Sequence, residues 1–207
     1  MNNGFKVIIY DCDGVMFDSR EASFAFHMKI INEFGKVPPD KNDIETMRVL
    51  NTYSNRDVIE YLFPGDDRRE EVERFASNID YREFVPFMRM EEGLVETLEV
   101  LKHRFGLAIC TNRAISMNAV LNAFGLTNFF GCVMTSNKVE KPKPHPESLL
   151  KVIEHYQIQS KEALFVGDSD VDYKAAAAAK VPFVAYKADL PGIASIDRHT
   201  DILKYLG

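Results

Sequence analysis

The sequence predicts an α/β fold in which a doubly wound parallel sheet core carries an inserted all-helical cap, and three observations lead there. Short apolar runs alternate with helical patterns, as a parallel sheet covered on both faces requires. The alternation is interrupted from about Ser19 to Met88, where helical periodicity continues without a convincing strand. Acidic residues directly follow two of the apolar runs, at the carboxyl edge where such sheets gather their chemistry.

KVIIYD from Lys6, GLAICTN from Gly106, ALFVGD from Ala163 and PFVAYK from Pro182 read as buried strands, with GCVMTSN from Gly131 a weaker fifth. Between them, LVETLEVLKHRF from Leu94, ISMNAVLNAFG from Ile115, PESLLKVIEHY from Pro146 and DYKAAAAAK from Asp172 have helical patterns. The alanine run at 175–179 is a strong helix former suited to close packing.

The interrupting segment opens with SREASFAFHMKIINEFG, where Ser19 is a candidate N-cap, Phe24, Met28 and Ile31 share helical spacing, and Gly35 is a stop. DIETMRVL, SNRDVIEYLF and DRREEVERFASNIDYREFVPF follow, divided by PPD and PGD turns. These helices are expected to pack mainly on one another as a cap of residues 18–88 on a core of 1–17 and 89–207. The crossings near Met16–Ser19 and Pro86–Gly93 are candidate hinges. DDRREEVER reads as a solvated helix face.

A chain of 207 residues, 46% hydrophobic and 27% charged, is globular in composition rather than disordered, fibrous or membrane-embedded. A net charge of -6 offers no footprint for nucleic acid or anionic lipid. A small anionic substrate therefore needs a local cluster of positive charge. Cys12, Cys110 and Cys132 lack zinc-site spacing and read as reduced, buried thiols. The N-terminus reaches an acidic pair too early for a signal peptide, and no apolar run approaches the roughly 18 residues of a membrane span. A cytoplasmic location is expected, as monomer or homodimer.

Asp11 ends the first strand and Asp13 follows two positions on; Asp168 ends another strand and Asp172 stands one helical turn later. Carboxylates converging at one edge repel unless a proton or a cation sits among them. A hard divalent cation fits, and Mg²⁺ favours one or two carboxylates with water and phosphate oxygens. A calcium-loop reading fails, because glycine and glutamate are missing from the required positions after both Asp11 and Asp168. Thr111 and Asn112 end a strand, placing a hydroxyl, an amide and backbone N–H groups at the same edge as a phosphate cradle. Lys143, in a proline-stiffened loop, can neutralise phosphate as a point charge.

In this order the motifs DCDGVMFDS, AICTNR, KPHPESLL and FVGDSDVDYKAA resemble the haloacid dehalogenase superfamily, in the helical-cap branch of phosphoglycolate phosphatase and β-phosphoglucomutase. The resemblance implies a Rossmann-like core and a phosphomonoester hydrolase acting on a small phosphorylated metabolite. It implies that Asp11 is the nucleophile forming an aspartyl phosphate, and that Asp13 is the general acid and then base. It further implies Mg²⁺ held by the Asp11 and Asp168 carboxylates and the Asp13 main-chain carbonyl. Thr111, the Asn112 backbone and Lys143 would hold phosphoryl oxygens, with Asp172 an outer residue orienting Lys143 or a water. The second aspartate, Asp13, separates phosphate-ester chemistry from the dehalogenase and phosphonate-cleaving branches.

Lys143 is preferred to Lys141 because KPHPESL then matches the family's K-P-x-P-x-x-[FL] pattern with Leu149 at its apolar position. Ala179-Lys180 replaces the family's common Ala-Gly, so that helix exit is expected not to rely on glycine. Arg113 is open between a substrate carboxylate and an acidic neighbour, while Cys12 is expected to turn away from Asp11 and Asp13. A phosphomutase is the alternative enzyme. A receiver-like signalling module is a remote one, since there the phosphorylated aspartate follows the third strand.

Overall fold

The computed structural model describes residues 4–114 and 116–206. Strand β1 (Val7–Tyr10) is buried along its length and is followed by the two-residue strand β2 (Phe17–Asp18). Four helices come next: α1 (Arg20–Glu33), α2 (Ile44–Thr52), α3 (Asn55–Leu62) and α4 (Arg69–Asn78). Two 3-10 turns, Tyr81–Glu83 and Val85–Phe87, return the chain to β3 (Arg89–Met90). The remainder runs α5 (Leu94–Leu101), β4 (Gly106–Cys110), α6 (Ser116–Ala123), β5 (Cys132–Met134), α7 (Glu147–Tyr156), β6 (Ala163–Gly167), α8 (Asp170–Ala179), β7 (Phe183–Tyr186), β8 (Ala194–Ile196) and α9 (Leu203–Leu206). Ile115, the expected start of one helix, and Met1–Asn3 of the N-terminal stretch lie outside the described residues.

Six strands form one sheet in the order β5-β4-β1-β6-β7-β8, every neighbouring pair parallel. The chain winds from β1 through β4 to β5, then crosses back to β6 on the other side of β1. Tyr10 is level with both Ile109 and Val166, so the residues just beyond these strands, Asp11, Thr111 and Asp168, emerge together where the winding reverses. A crevice at such a reversal is the usual ligand position. Asp11 directly after β1, with a helical insertion before β4, excludes the receiver arrangement.

Alternation along the strands sorts the core. Ile8, Tyr10, Leu107, Ile109, Leu164 and Val166 face one apolar cluster, whereas Val7, Ile9, Ala108, Cys110, Ala163 and Phe165 face the other. The second cluster receives Leu149 and Val152 of α7 and Ala175, Ala176 and Ala179 of α8. The alanines bring that helix close to the sheet. Cys12 belongs with Ile8 and Tyr10, as alternation requires, and all three cysteines are buried and unpaired.

Several expectations change in the structure. A sixth strand, β8, is added beside β7 by bonds such as Lys187 N–H to Ile196 O at 2.8 Å; its three residues are too short to show a period. The helices α1 with α2 and α3 with α4 do pack together, but Phe26, Ile59, Phe63 and Tyr81 join the main core cluster rather than a separate one. On α1 the buried face runs through Ala22, Phe26, Ile30 and Ile31, leaving Phe24 and Met28 half-buried. The two expected hinges form one antiparallel ribbon, with Phe17 opposite Met90 and Asp18 opposite Arg89. Glu91 N–H extends it by donating to Met16 O at 3.0 Å.

Helix α8 ends on Lys180, which takes the left-handed conformation itself at φ 56° and ψ 36°. Its N–H donates to Ala177 O and that of Val181 to Ala176 O, so the last carbonyls are satisfied at a steric cost. The left-handed region costs an L-residue about 1–2 kcal/mol, partly offset by glycine's greater unfolded freedom. Lys180→Gly should therefore stabilise the fold by about 0.5–1 kcal/mol in urea unfolding; a loss of stability would show that the Lys180 side chain supports the exit.

Candidate active site

Asp11 is 6% exposed and its N–H is fixed by Val166 O at 2.9 Å, so β6 sets its position. Lys143 is 2% exposed and its Nζ donates to Asp11 Oδ1 at 2.7 Å and Asp172 Oδ1 at 2.6 Å. Asp172, on the first turn of α8, also accepts from the Ser169 N–H at 3.1 Å and from the Ser169 hydroxyl through Oδ2. It thereby caps its own helix and aims Lys143. Asn112 clamps the Lys143 backbone from both sides, Oδ1 accepting its N–H and Nδ2 donating to its carbonyl, each at 3.0 Å. Lys141 is exposed, its N–H donating to Glu147 Oε2, while Leu149 is buried. Lys143 is the lysine that reaches the acidic cluster.

Burial raises Asp11 to about 7, against the pull of Lys143, with Asp172 and Asp13 adding to the rise. Burial and the Asp11 and Asp172 charges likewise raise Asp168 to about 8. For Lys143, burial alone would push the ammonium down, but Asp11 and Asp172 overcome it and hold it above its usual range. Carboxylate oxygens of Asp11, Asp168 and Asp172 lie within 4.8 Å of one another. Among the described residues no donor reaches Asp168, whereas both oxygens of Asp172 are occupied. Gly14, at φ +80°, brings its backbone so close that a Cβ there would overlap the Asp168 carboxylate.

Among the described residues, Asp11, Asp13, Asp168 and Asp172 are paired in this cluster with only two cations, Lys143 and Arg113. With all four carboxyls ionised two negative charges are left over, and oxygen ligands of this kind suit a hard divalent cation. The residues therefore fit Mg²⁺, with Asp11 and Asp168 the carboxylates free to hold it and Asp172 committed to Lys143.

Thr111 is buried, its Oγ1 accepting from the Arg113 N–H at 3.1 Å, which leaves the hydroxyl proton to offer. The Asn112 side chain is not free for a ligand as the sequence suggested: beyond Lys143 it donates to Thr52 O of α2 at 3.1 Å. Only its backbone remains for a ligand. Arg113 resolves toward the acidic neighbour, with Nε 2.8 Å from Asp13 Oδ2 and Nη2 2.6 Å from Oδ1. Ser19 stands at the N-cap position of α1 but makes no capping bond; its hydroxyl donates to Asp13 Oδ1 instead. The local pattern of a cap cannot reveal a rival acceptor six residues upstream.

These groups line a cleft of about 1100 Å³ between the sheet edge and the helical insertion. Across it lie His27, Arg48, Asn51 and Tyr81, which no sequence motif marked. His27 Nδ1 donates to Ser23 O at 2.8 Å, and burial, with Arg113 adding to it, lowers the imidazole to about 4.

The raised carboxyls make stability depend on pH. Asp11 and Asp168 bind protons more readily in the fold than at their ordinary value of 3.8. Their contribution is full below that value and is lost as the pH climbs through about 7 and 8. Buried His27 and His199, both lowered to about 4, act in the opposite sense between about 4 and 6.5. The carboxyl effect is thus read above that range. The melting temperature without divalent cations should fall from about pH 6.5 to about pH 8.5. Mg²⁺ should raise it most at the alkaline end, by the equivalent of about 2.7 kcal/mol at a hundredfold excess over Kd. An increment absent at high pH would count against a cation site here.

Residues 8–186 match the profile of the haloacid dehalogenase-like hydrolases. A phosphoglycolate phosphatase of Aquifex aeolicus is 26% identical, over 97% of this chain and 96% of its own. The pyrophosphatase PpaX of Bacillus mycoides is also 26% identical, over 94% and 89%. Among solved structures, a HAD-superfamily hydrolase of subfamily IA, variant 1, from Geobacter sulfurreducens is 52% identical with a TM-score of 0.78, covering 99% of this chain and 97% of that one. The β-phosphoglucomutase of Clostridium difficile shares the fold at a TM-score of 0.80 and 16% identity, covering 98% and 95%. With Asp11, Lys143 and Asp168 gathered at the switch of a doubly wound sheet under a helical cap, the chain belongs to the haloacid dehalogenase-like hydrolase family.

Proposed function

We propose that the protein is a Mg²⁺-dependent phosphomonoester hydrolase that acts on a small phosphorylated metabolite through an aspartyl phosphate on Asp11. The observation that carries this reading is the different company of two carboxylates two residues apart. Asp11 lies in the buried acidic cluster against Lys143, while Asp13 is bound by Arg113 and Ser19 at the cleft. One is placed to attack and the other to move a proton. A phosphoglycolate phosphatase and a pyrophosphatase among the relatives support a small phosphorylated substrate.

In the first step an Asp11 oxygen attacks phosphorus, the bond from phosphorus to the ester oxygen breaks, and Asp13 gives its proton to the leaving oxygen. In the second, water attacks the same phosphorus, Asp13 takes the water's proton, and phosphate leaves Asp11. Lys143, the Thr111 hydroxyl and the Asn112 backbone hold the phosphoryl oxygens, where positioning and charge stabilisation dominate. Mg²⁺ would be held by the Asp11 and Asp168 carboxylates and the Asp13 carbonyl, and would supply positive charge to offset the acidic cluster and the phosphate.

The catalytic core comprises residues 1–17 and 89–207 and the cap 18–88, joined by the β2–β3 ribbon. Because Thr52, Tyr81 and His27 reach the cleft from the cap side, the cap sets substrate choice. No helix among the described residues is long and apolar enough to cross a membrane. A cytoplasmic enzyme is supported by three unpaired buried thiols.

Asp11→Asn should abolish phosphate release from p-nitrophenyl phosphate while leaving the native circular dichroism spectrum and a cooperative melting transition. Asp13→Asn should slow turnover by about 10²–10⁴-fold, the span of acid–base assistance. Mg²⁺-dependent turnover persisting in Asp11→Asn would remove the nucleophile assignment.

A further inference from the structure

We propose that His199 is a positioning residue that holds the turn carrying Asp13, and so governs breakdown of the aspartyl phosphate more than its formation. The inference rests on the hydrolase reading of Asp11 and Asp13. His199 opens the 3-10 turn His199–Ile202, late in the chain, and is fully buried. Its Nε2 donates to Val15 O at 2.9 Å, across 184 residues of sequence. A carbonyl can only accept, so Nε2 carries the proton, and Nδ1 is a buried acceptor without a partner among the described residues. Burial lowers the imidazole to about 4, which keeps it in this neutral, single-donor form at neutral pH.

The backbone of the turn mostly closes on itself. Gly14 N–H donates to Phe17 O at 2.8 Å, and the Met16 and Phe17 N–H groups both donate to Cys12 O, at 2.9 and 3.1 Å. Two bonds from outside then fix adjacent peptides: His199 to Val15 O, and Glu91 N–H to Met16 O at 3.0 Å. Both donors belong to one cluster. The imidazole stacks on the Tyr186 ring, with centroids 4.6 Å apart and planes at 22°, and meets the Tyr10 ring at 5.9 Å. The Tyr186 hydroxyl donates to Glu91 Oε2 at 3.0 Å. Tyr10 ends β1 and Tyr186 ends β7, so His199 ties the turn to the carboxyl edge of the sheet.

Position matters here because the turn lies tight against the acidic cluster: a Cβ on Gly14 would overlap the Asp168 carboxylate. Asp11 is anchored separately, by Val166 O and by Lys143. Without the His199 donor, Val15 O is left buried and unsatisfied, a cost the turn relieves by shifting. Such a shift displaces Asp13 and leaves Asp11 in place. p-Nitrophenolate departs without a proton donor, so attack by Asp11 on that substrate is spared. Hydrolysis of the aspartyl phosphate still needs Asp13 to take a proton from water, and the pair with Arg113 keeps it in the carboxylate form that can do so.

The test uses the Mg²⁺-loaded full-length protein in excess over p-nitrophenyl phosphate, with rapid acid quench, so that the rise and decay of phosphoenzyme are read in one turnover. His199→Phe, which keeps the stack on Tyr186 but donates nothing to Val15, should slow decay by about 10–10²-fold, with formation within about threefold. His199→Gln, whose amide nitrogen reaches the Nε2 position, should restore most of the decay rate, whereas the shorter His199→Asn should not. A residue that only supports the fold would slow both steps together. Equal slowing of the two steps, an unchanged decay rate in His199→Phe, or decay in His199→Gln no faster than in His199→Asn would overturn the proposal. If His199→Phe does not fold, the other two variants carry the comparison. Absence of phosphoenzyme from both the unmodified protein and Asp13→Asn would refute the hydrolase reading itself, an outcome distinct from phosphoenzyme whose decay ignores residue 199.

Discussion

The structure around the site depends on one constraint, the mutual repulsion of carboxylates brought together at the reversal of the sheet. Lys143 is the fixed part of the answer, bonded at once to Asp11 and Asp172 from a buried position. Its own backbone is clamped by Asn112, whose remaining donor reaches Thr52 in the helical insertion. The ammonium is thus held by two carboxylates and the backbone behind it by Asn112. It cannot neutralise the whole cluster, and Asp168, with no donor of its own among the described residues, is the carboxylate left open to a further cation. Burial makes each charge expensive, which is why the residues that answer it are themselves buried and hydrogen-bonded.

The same logic divides the two aspartates of the opening motif. Asp11 is kept in the buried cluster against Lys143, and Asp13 is held by a guanidinium and a hydroxyl. Gly14 makes the separation possible, because only a residue without Cβ lets the backbone turn past Asp168. The insertion contributes contacts to the site through Ser19, Thr52 and Tyr81. Its two crossings are joined as a β ribbon.

Much of this was legible in the sequence wherever the signal was local. The strands, the alanine-rich helix and the acidic residues after strands read directly, since apolar runs and their endings are short-range patterns. The choice of Lys143 over Lys141 rests on the match of KPHPESL to the family's pattern and agrees with where the two side chains lie. What could not be read depends on partners distant in the chain. Ser19 has every local mark of an N-cap, yet Asp13 competes for its hydroxyl; Asn112 was credited with a free amide that Thr52 and Lys143 consume. Arg113 meets Asp13 across a hundred residues of chain, and β8 exists only because the edge of β7 offers it hydrogen bonds. Lys180 shows the converse: the missing glycine was visible, but the fold imposes the left-handed exit on lysine all the same.

The central claim is that Asp11 carries the phosphoryl group during turnover. Rapid acid quench of the Mg²⁺-loaded protein reacting with p-nitrophenyl phosphate, followed by mass spectrometry of the peptide spanning β1 and the acidic motif, measures this directly. The account predicts one phosphoryl group on Asp11, absent when substrate is omitted. Phosphate release with that peptide unmodified at every quench time, or a phosphoryl group on another residue, would contradict it.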